Sequence, residues 1–388
     1  MKVLKNIGKK SVNYKNNILL KYVEINEILK IKAKKIKAFD KCYTNFIIKI
    51  LFHIFKILLF LYFLLFKISK FKKINNFITF NNNTIYFEYY ACFCGIAKLE
   101  NKYAKEFIEY YINLGVEKFI FGDNNLPNTE KLSDILQDYI SNDIVDIIEI
   151  FGSTIGQSEF GQNIYEKYKT RCGWFLYFDL DEYLEIFFKK NRKLNLQRFL
   201  SNQIYSKCES ISFNWLIYTD NELIFYDNRK LLKRFTTPNY LDRDNIYVKS
   251  IVRGNLDKIV FYANTSNHVP SKNLTICDST GNLIIPEHYN PHIISPPIFD
   301  HGYLKHFTTK TAEEYCVKMK RGYPCGQKYN LKERVAKFFS HNKFTDEKLK
   351  VFENTFNMSF IRPFIISYLN SNIIIYKNLL KLLIFLYI

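Results

Sequence analysis

Three carboxylates stand together where "WFLYFDLDEYLEI" (174–186) passes from an apolar run to Asp179, Asp181 and Glu182 and back again. Side chains alternate along a strand, but at its end the chain turns, and both Asp179 and Asp181 can reach one site. Two carboxylates held that close repel each other unless a cation lies between them. A hard divalent ion, Mn²⁺ or Mg²⁺, shared with substrate phosphates, meets that need. The plainer alternative is a solvated acidic turn that caps a following helix.

Such a pair needs a rigid frame, and the chain before it reads as one. "TIYFEYYACFCGIA" (84–97) has a strand pattern, and "NKYAKEFIEYYINLG" (101–115) has helical spacing closed by Gly115. "VEKFIFGDNN" (116–125) is a short strand ending at Asp123. "TEKLSDILQDYISND" (129–143) is a helix, "IVDIIEIFG" (144–152) a strand and "SEFGQNIYEKYKTRC" (158–172) a third helix before the strand "GWFLYFDLDEYLEI" (173–186). This alternation predicts an α/β fold with a mostly parallel central sheet flanked by helices. Ligands of such sheets lie beyond the carboxyl ends of the strands, where Asp123, Asp179 and Asp181 fall. Past residue 200 the pattern is more strand-like and loop-rich, and 310–350 reads as helical and basic. Lys310, Lys318, Lys320 and Arg321 are spaced to share a helix face or its end. Cations there would offset charge developing on an anionic leaving group, although a solvated basic face has the same spacing. Trp215 and Tyr218 could stack on a sugar ring or pack in the core.

The chain has 388 residues, enough for one large domain or two ordinary ones, and 48% hydrophobic content, ample for a sizeable core. Lys and Arg number 56 against 37 Asp and Glu, a formal charge of +19. That surplus suits anionic partners, or follows from a composition rich in Ile, Lys, Asn, Phe and Tyr. No zinc finger, RNP-type block or Gly-rich phosphate loop accompanies it, so nucleic acid is not expected. The eight cysteines are scattered, without C-x-x-C, and are read as reduced and structural. No signal peptide opens the chain. Residues 1–83 form a basic hydrophobic extension in which 47–67, flanked by lysines, suits a helix on or in an anionic membrane face, and 373–388 repeats the theme. The expected location is cytoplasmic and peripheral on the membrane, with a single N-terminal anchor as the alternative.

Several blocks in order resemble glycosyltransferase family 92 and related glycosyltransferase-2-like proteins of GT-A fold. They are "CFCGIAKLENKYAKEFIEYYINLGVEKFIFGDNN", "WFLYFDLDEYLEI", "VKSIVRG" (248–254), "NPH" (290–292) and "LKHFTTKTAEEYCVKMKRG" (304–322). The resemblance covers about 88–322. It implies a GT-A catalytic domain over 84–325, between helical extensions at 1–83 and 326–388. It also implies a hexosyltransferase moving sugar from a nucleotide-sugar donor, UDP-sugar favoured, to a glycan or lipid-linked acceptor in surface polysaccharide or lipopolysaccharide synthesis. Asp179 and Asp181 would meet the diphosphate through the metal, with His306 as a third ligand. Glu100 and Asp123 would lie near the nucleoside, and Lys318 and Arg321 near the diphosphate. The Ser-x-Asp common after the family's Asp-Asn is missing from "GDNNLPNTEKL". An inverting transfer needs a carboxylate base, for which Glu182 and Asp300 both stand as candidates. Strand-Asp-x-Asp also resembles the first motif of haloacid-dehalogenase-type phosphatases, but Tyr183 and the long preceding α/β segment depart from it. A non-enzymatic basic membrane-surface protein would leave the acidic strand end unexplained.

Overall fold

The computed structural model describes residues 87–151, 157–188, 194–257, 274–284, 292–322, 330–358 and 361–369. All belong to the unit Phe80–Lys377. The apolar 47–67 and 373–388 segments, most of the "NPH" block, Cys42 and Cys325 lie outside the described residues.

The first half folds as the alternation predicts. Strands β1 (Tyr89–Ala97), β2 (Lys118–Asp123), β3 (Val145–Glu149) and β4 (Cys172–Tyr177) are joined by helices α1 (Asn101–Leu114), α2 (Leu132–Ser141) and α3 (Gln157–Tyr168). The β1–β2, β2–β3 and β1–β4 pairings are all parallel. Side-chain alternation sorts the strands into two cores. Ala91, Phe93, Phe119 and Phe121 pack with Phe107, Tyr111 and Leu136 of α1 and α2, while Cys92, Cys94, Ile120 and Phe175 pack with Phe160 and Tyr165 of α3. Helix α1 stops at Gly115, whose φ of 109° is the left-handed closure expected there.

The stretch expected to be one strand through 173–186 is instead two. β4 ends at Tyr177, residues 178–181 turn, and β5 (Glu182–Ile186) runs at the far edge of the sheet. Apolar residues on both sides of the turn hid the break: Phe178 and Leu180 are as buried as the strands they join. β6 (Ser210–Ile217), β7 (Val248–Arg253), β8 (Ile276–Asp278) and β9 (Gly302–His306) complete a nine-stranded mixed sheet in the order β3-β2-β1-β4-β7-β6-β9-β5, with β8 beside β6. β7 is antiparallel to β4 and to β6, β9 is parallel to β6, and β5 is antiparallel to β9. The carboxyl ends of β1, β2, β3, β4, β6 and β9 therefore share one edge, and β5 and β7 begin there. Two small helices, α4 (Leu196–Leu200) and α5 (Leu231–Arg234), lie in the connections. After β9, helices α6 (Ala312–Arg321), α7 (Leu331–His341) and α8 (Asp346–Phe356) share a third core, with Tyr315, Phe338 and Phe352 in contact. No helix among the described residues is long and apolar enough to cross a membrane.

The cysteines correct the expectation of reduced thiols. Cys92 of β1 is disulfide-bonded to Cys172 of β4, and Cys208 to Cys277 of β8, while Cys94 and Cys316 are buried free thiols. The partners stand 80 and 69 residues apart and meet only because the sheet sets their strands side by side.

Candidate functional site

The turn between β4 and β5 places its acidic residues at the carboxyl edge. Asp179 O accepts the Glu182 N–H at 3.0 Å, which closes the turn, and Asp181 O accepts the Phe307 N–H at 2.9 Å, which ties it to the end of β9. Gly95 of β1 makes room for it: a Cβ there would stand 2.7 Å from the Phe178 carbonyl oxygen.

Asp181 is the centre of the site. Its side chain is 6% exposed; Oδ1 lies 3.6 Å from His306 Nε2, and Oδ2 accepts from Lys318 Nζ at 2.8 Å with Lys310 Nζ at 3.6 Å. Burial alone would raise its pKa, but Lys318, Lys310 and His306 outweigh that and hold the carboxyl well below the usual range. His306 follows from register, since it pairs with Glu182 at the start of β5. Its ring rests against Trp215 of β6, with centroids 4.3 Å apart, and burial keeps the imidazole below its usual pKa despite Asp181. A neutral imidazole and an ionised carboxylate are the forms that bind a metal. Their 3.6 Å separation is close to the ~3 Å between adjacent ligands of an octahedral ion with ~2.1 Å bonds. His306 Nδ1 and Trp215 Nε1 are buried without a hydrogen-bond partner.

Helix α6 carries the cations. Glu314, Lys318 and Arg321 fall at i, i+4 and i+7, one face of the helix. Lys318 also donates to the Thr308 carbonyl at 2.9 Å, and Arg321 meets Glu100 Oε1 at 3.0 Å and donates to the Lys98 carbonyl. Lys310 lies just before the helix in a left-handed conformation (φ 54°), and Glu100 and Arg321 both act on its charge. The field around Asp181 thus joins residues of the β1–α1 loop, the β4–β5 turn, β9 and α6.

The other expected residues go elsewhere. Asp179, 28% exposed at its side chain, turns Oδ2 to Lys249 Nζ at 2.8 Å. Glu182 is fully buried, with Oε2 accepting the Asp179 N–H at 2.9 Å and Oε1 3.8 Å from Lys249; burial raises its pKa well above the usual carboxyl value. Asp123 is at the carboxyl edge, but its two oxygens accept the Asn125 and Leu132 amides, both at 2.9 Å. Asp300 precedes β9, so four residues of strand, roughly 13 Å, separate its end of the strand from His306. Lys249, within "VKSIVRG", was not among the expected site residues; its signal was a charged residue inside an otherwise apolar strand pattern.

Among the described residues, the one cluster of three metal-type ligands is Asp242, Asp244 and His341, whose ligand atoms lie within 4.8 Å of one another. Lys337 Nζ, 2.9 Å from Asp244, and His341 between the two carboxylates supply a cation for each, so the group reads as an ion-pair lock between α7 and the loop before β7.

No curated protein matches the chain. Among solved structures, S. aureus TarS 1–349 in complex with UDP is 12% identical over 70% of this chain and 72% of that one, with a TM-score of 0.27. GalNAc-T7 with UDP, GalNAc and Mn²⁺ is 16% identical over 34% of this chain, with a TM-score of 0.25, and only 23% of its own length is spanned. The glycosyltransferase family 92 model matches residues 87–358, from the first strand through the last of the three packed helices, and the chain therefore belongs to glycosyltransferase family 92.

Proposed function

We propose that the chain transfers a hexose from a nucleotide-sugar donor, UDP-sugar favoured, to a glycan or lipid-linked acceptor with inversion, on a GT-A-type domain. The observation that carries this reading is Asp181, buried and ionised, facing His306 on one oxygen and Lys310 and Lys318 on the other. Asp181 and His306 would hold Mn²⁺ or Mg²⁺, and Lys310, Lys318 and Arg321 would receive the donor diphosphate. The ion, when bound, supplies Lewis-acid stabilisation of the leaving nucleoside diphosphate. The ammonium groups act on the same charge from a partly buried position, where they need no reorganisation as it develops. Trp215, wedged against His306, offers an aromatic face and an unpartnered N–H beside the reacting centre. Of the two expected bases, Glu182 is at the right edge but buried and bound to the Asp179 amide, a placement suited to bracing the turn. Family membership takes the place of the phosphatase and non-enzymatic readings. A surface polysaccharide or lipopolysaccharide acceptor, and attachment to an anionic membrane through 47–67, complete the proposal. The two disulfides favour an oxidising compartment, so the cytoplasmic setting expected from sequence is not carried forward.

Donor hydrolysis tests the reading. With Mn²⁺, purified protein should release nucleoside diphosphate from at least one UDP- or GDP-sugar. EDTA should abolish release, and Asp181→Asn should lower it by about 10²-fold or more. No metal-dependent release from any donor would overturn it.

A further inference from the structure

Lys249 has no exposed surface, yet it lies in a strand whose neighbours are Val248, Ser250, Ile251 and Val252. Burying an ammonium group costs several kcal/mol unless it is paired and hydrogen-bonded. Topology shows what it pairs with. β7 is antiparallel to β4, with Ser250 opposite Tyr177, so Lys249 stands beside the residues that follow Tyr177 into the acidic turn. Its Nζ donates to Asp179 Oδ2 at 2.8 Å and lies 3.8 Å from Glu182 Oε1. Glu182 in turn accepts the Asp179 N–H. Asp179 is thereby gripped at its side chain by Lys249 and at its amide by Glu182, while part of its side chain stays exposed to solvent.

We propose that Lys249 is a positioning residue of the donor site. It fixes the Asp179 carboxylate in the orientation that meets the nucleotide donor, and Glu182 braces the same residue through its amide. The first aspartate of the D-x-D then serves the donor from a lysine clamp, while the second works with His306. This inference rests on the nucleotide-sugar reading above.

The rival to a positioning role is plain charge balance, in which Lys249 only lets two carboxylates fold into the interior. The double variant Lys249→Gln/Glu182→Gln removes the ammonium together with the carboxyl group beside it and keeps much of the volume. Lys249→Arg keeps the charge and moves the donor atoms. Unfolding midpoints and calorimetric affinity for UDP and GDP in the presence of Mn²⁺ are measured on each full-length protein. Lys249→Gln alone should lose stability, and the double variant should regain much of it. Nucleotide affinity should stay about 10-fold or more below wild type in the double variant, and should also fall in a stably folded Lys249→Arg. Affinity that returns with stability in the double variant, or a wild-type affinity in Lys249→Arg, overturns the proposal while leaving the enzymatic reading intact. A wild-type protein that binds neither nucleotide with Mn²⁺ overturns both.

Discussion

His341 lies between two carboxylates: Asp242 Oδ2 is 2.6 Å from Nδ1 and Asp244 Oδ2 is 3.4 Å from Nε2. Burial opposes a charge on the ring, but the two carboxylates outweigh it and raise its pKa above the ordinary imidazole value. Burial would likewise raise Asp244, yet His341 and Lys337 hold it well below the usual range. The signs are opposite. His341 contributes stability that is complete below about pH 6.5 and lost as pH rises through its raised value; Asp244 contributes stability complete above about pH 4 and lost as pH falls. The melting-temperature difference between wild type and His341→Asn should therefore be largest between about pH 4 and 6.5 and shrink toward pH 9. A difference that is flat across that range would remove the charged His341 from the account. Such residues were illegible in sequence for a physical reason. Asp242 and His341 are 99 positions apart, and Asp179 and Lys249 are 70 apart, so no spacing rule links them. Asp181 was legible because a pair of carboxylates, Asp179 and Asp181, at the end of a buried aromatic run has few structural explanations.

At the scale of elements, helix α6 decides where the cations of the site stand. Its first turn is fixed by a capping box in which Thr311 accepts the Glu314 N–H and Glu314 answers to the Thr311 amide. The same Glu314 forms a two-pronged ion pair with buried Arg234 of α5, at 2.7 and 2.9 Å, and accepts from the Tyr103 hydroxyl of α1. Its pKa falls to about 2, because Arg234 and these hydrogen bonds outweigh burial. Glu314→Ala would take from buried Arg234 its two-pronged partner, leaving it only the more distant Asp227, and would take from Tyr103 its acceptor; it should destabilise the fold by about 3–5 kcal/mol in denaturant titrations. Since Lys318 and Arg321 share that helix face, donor KM should rise in whatever folds. A loss below about 1 kcal/mol would show that α6 is anchored by its apolar face alone. The helices were legible in "NKYAKEFIEYYINLG" and "TAEEYCVKMKRG" because amphipathic spacing and caps are local signals. The split of 173–186 into β4 and β5 was not: β4 is buried throughout and β5 everywhere but at Glu185, and nothing polar but the carboxylates marks the turn.

At the scale of the whole molecule, the disulfides cross-link what the sheet brings together. Cys92–Cys172 joins the two central parallel strands β1 and β4 at the start of β4, the end away from the acidic turn, and Cys208–Cys277 fastens β8 beside β6. The cysteine spacing carried no trace of this, because pairing across 80 and 69 residues depends on strand order rather than on local pattern. Loops of that size give each bridge a chain-entropy contribution of about 4–5 kcal/mol. Protein recovered without reductant and alkylated in denaturant should therefore yield linked peptides joining Cys92 to Cys172 and Cys208 to Cys277, and alkylated Cys94 and Cys316. Reduction, or Cys92→Ala with Cys172→Ala, should lower the unfolding midpoint and, because β4 leads into Asp179 and Asp181, weaken nucleotide binding in the folded fraction. Full alkylation of all four bridged cysteines in protein that is folded and active would show that the strands hold this arrangement with thiols alone. It would also restore the reduced compartment that the scattered cysteines first suggested.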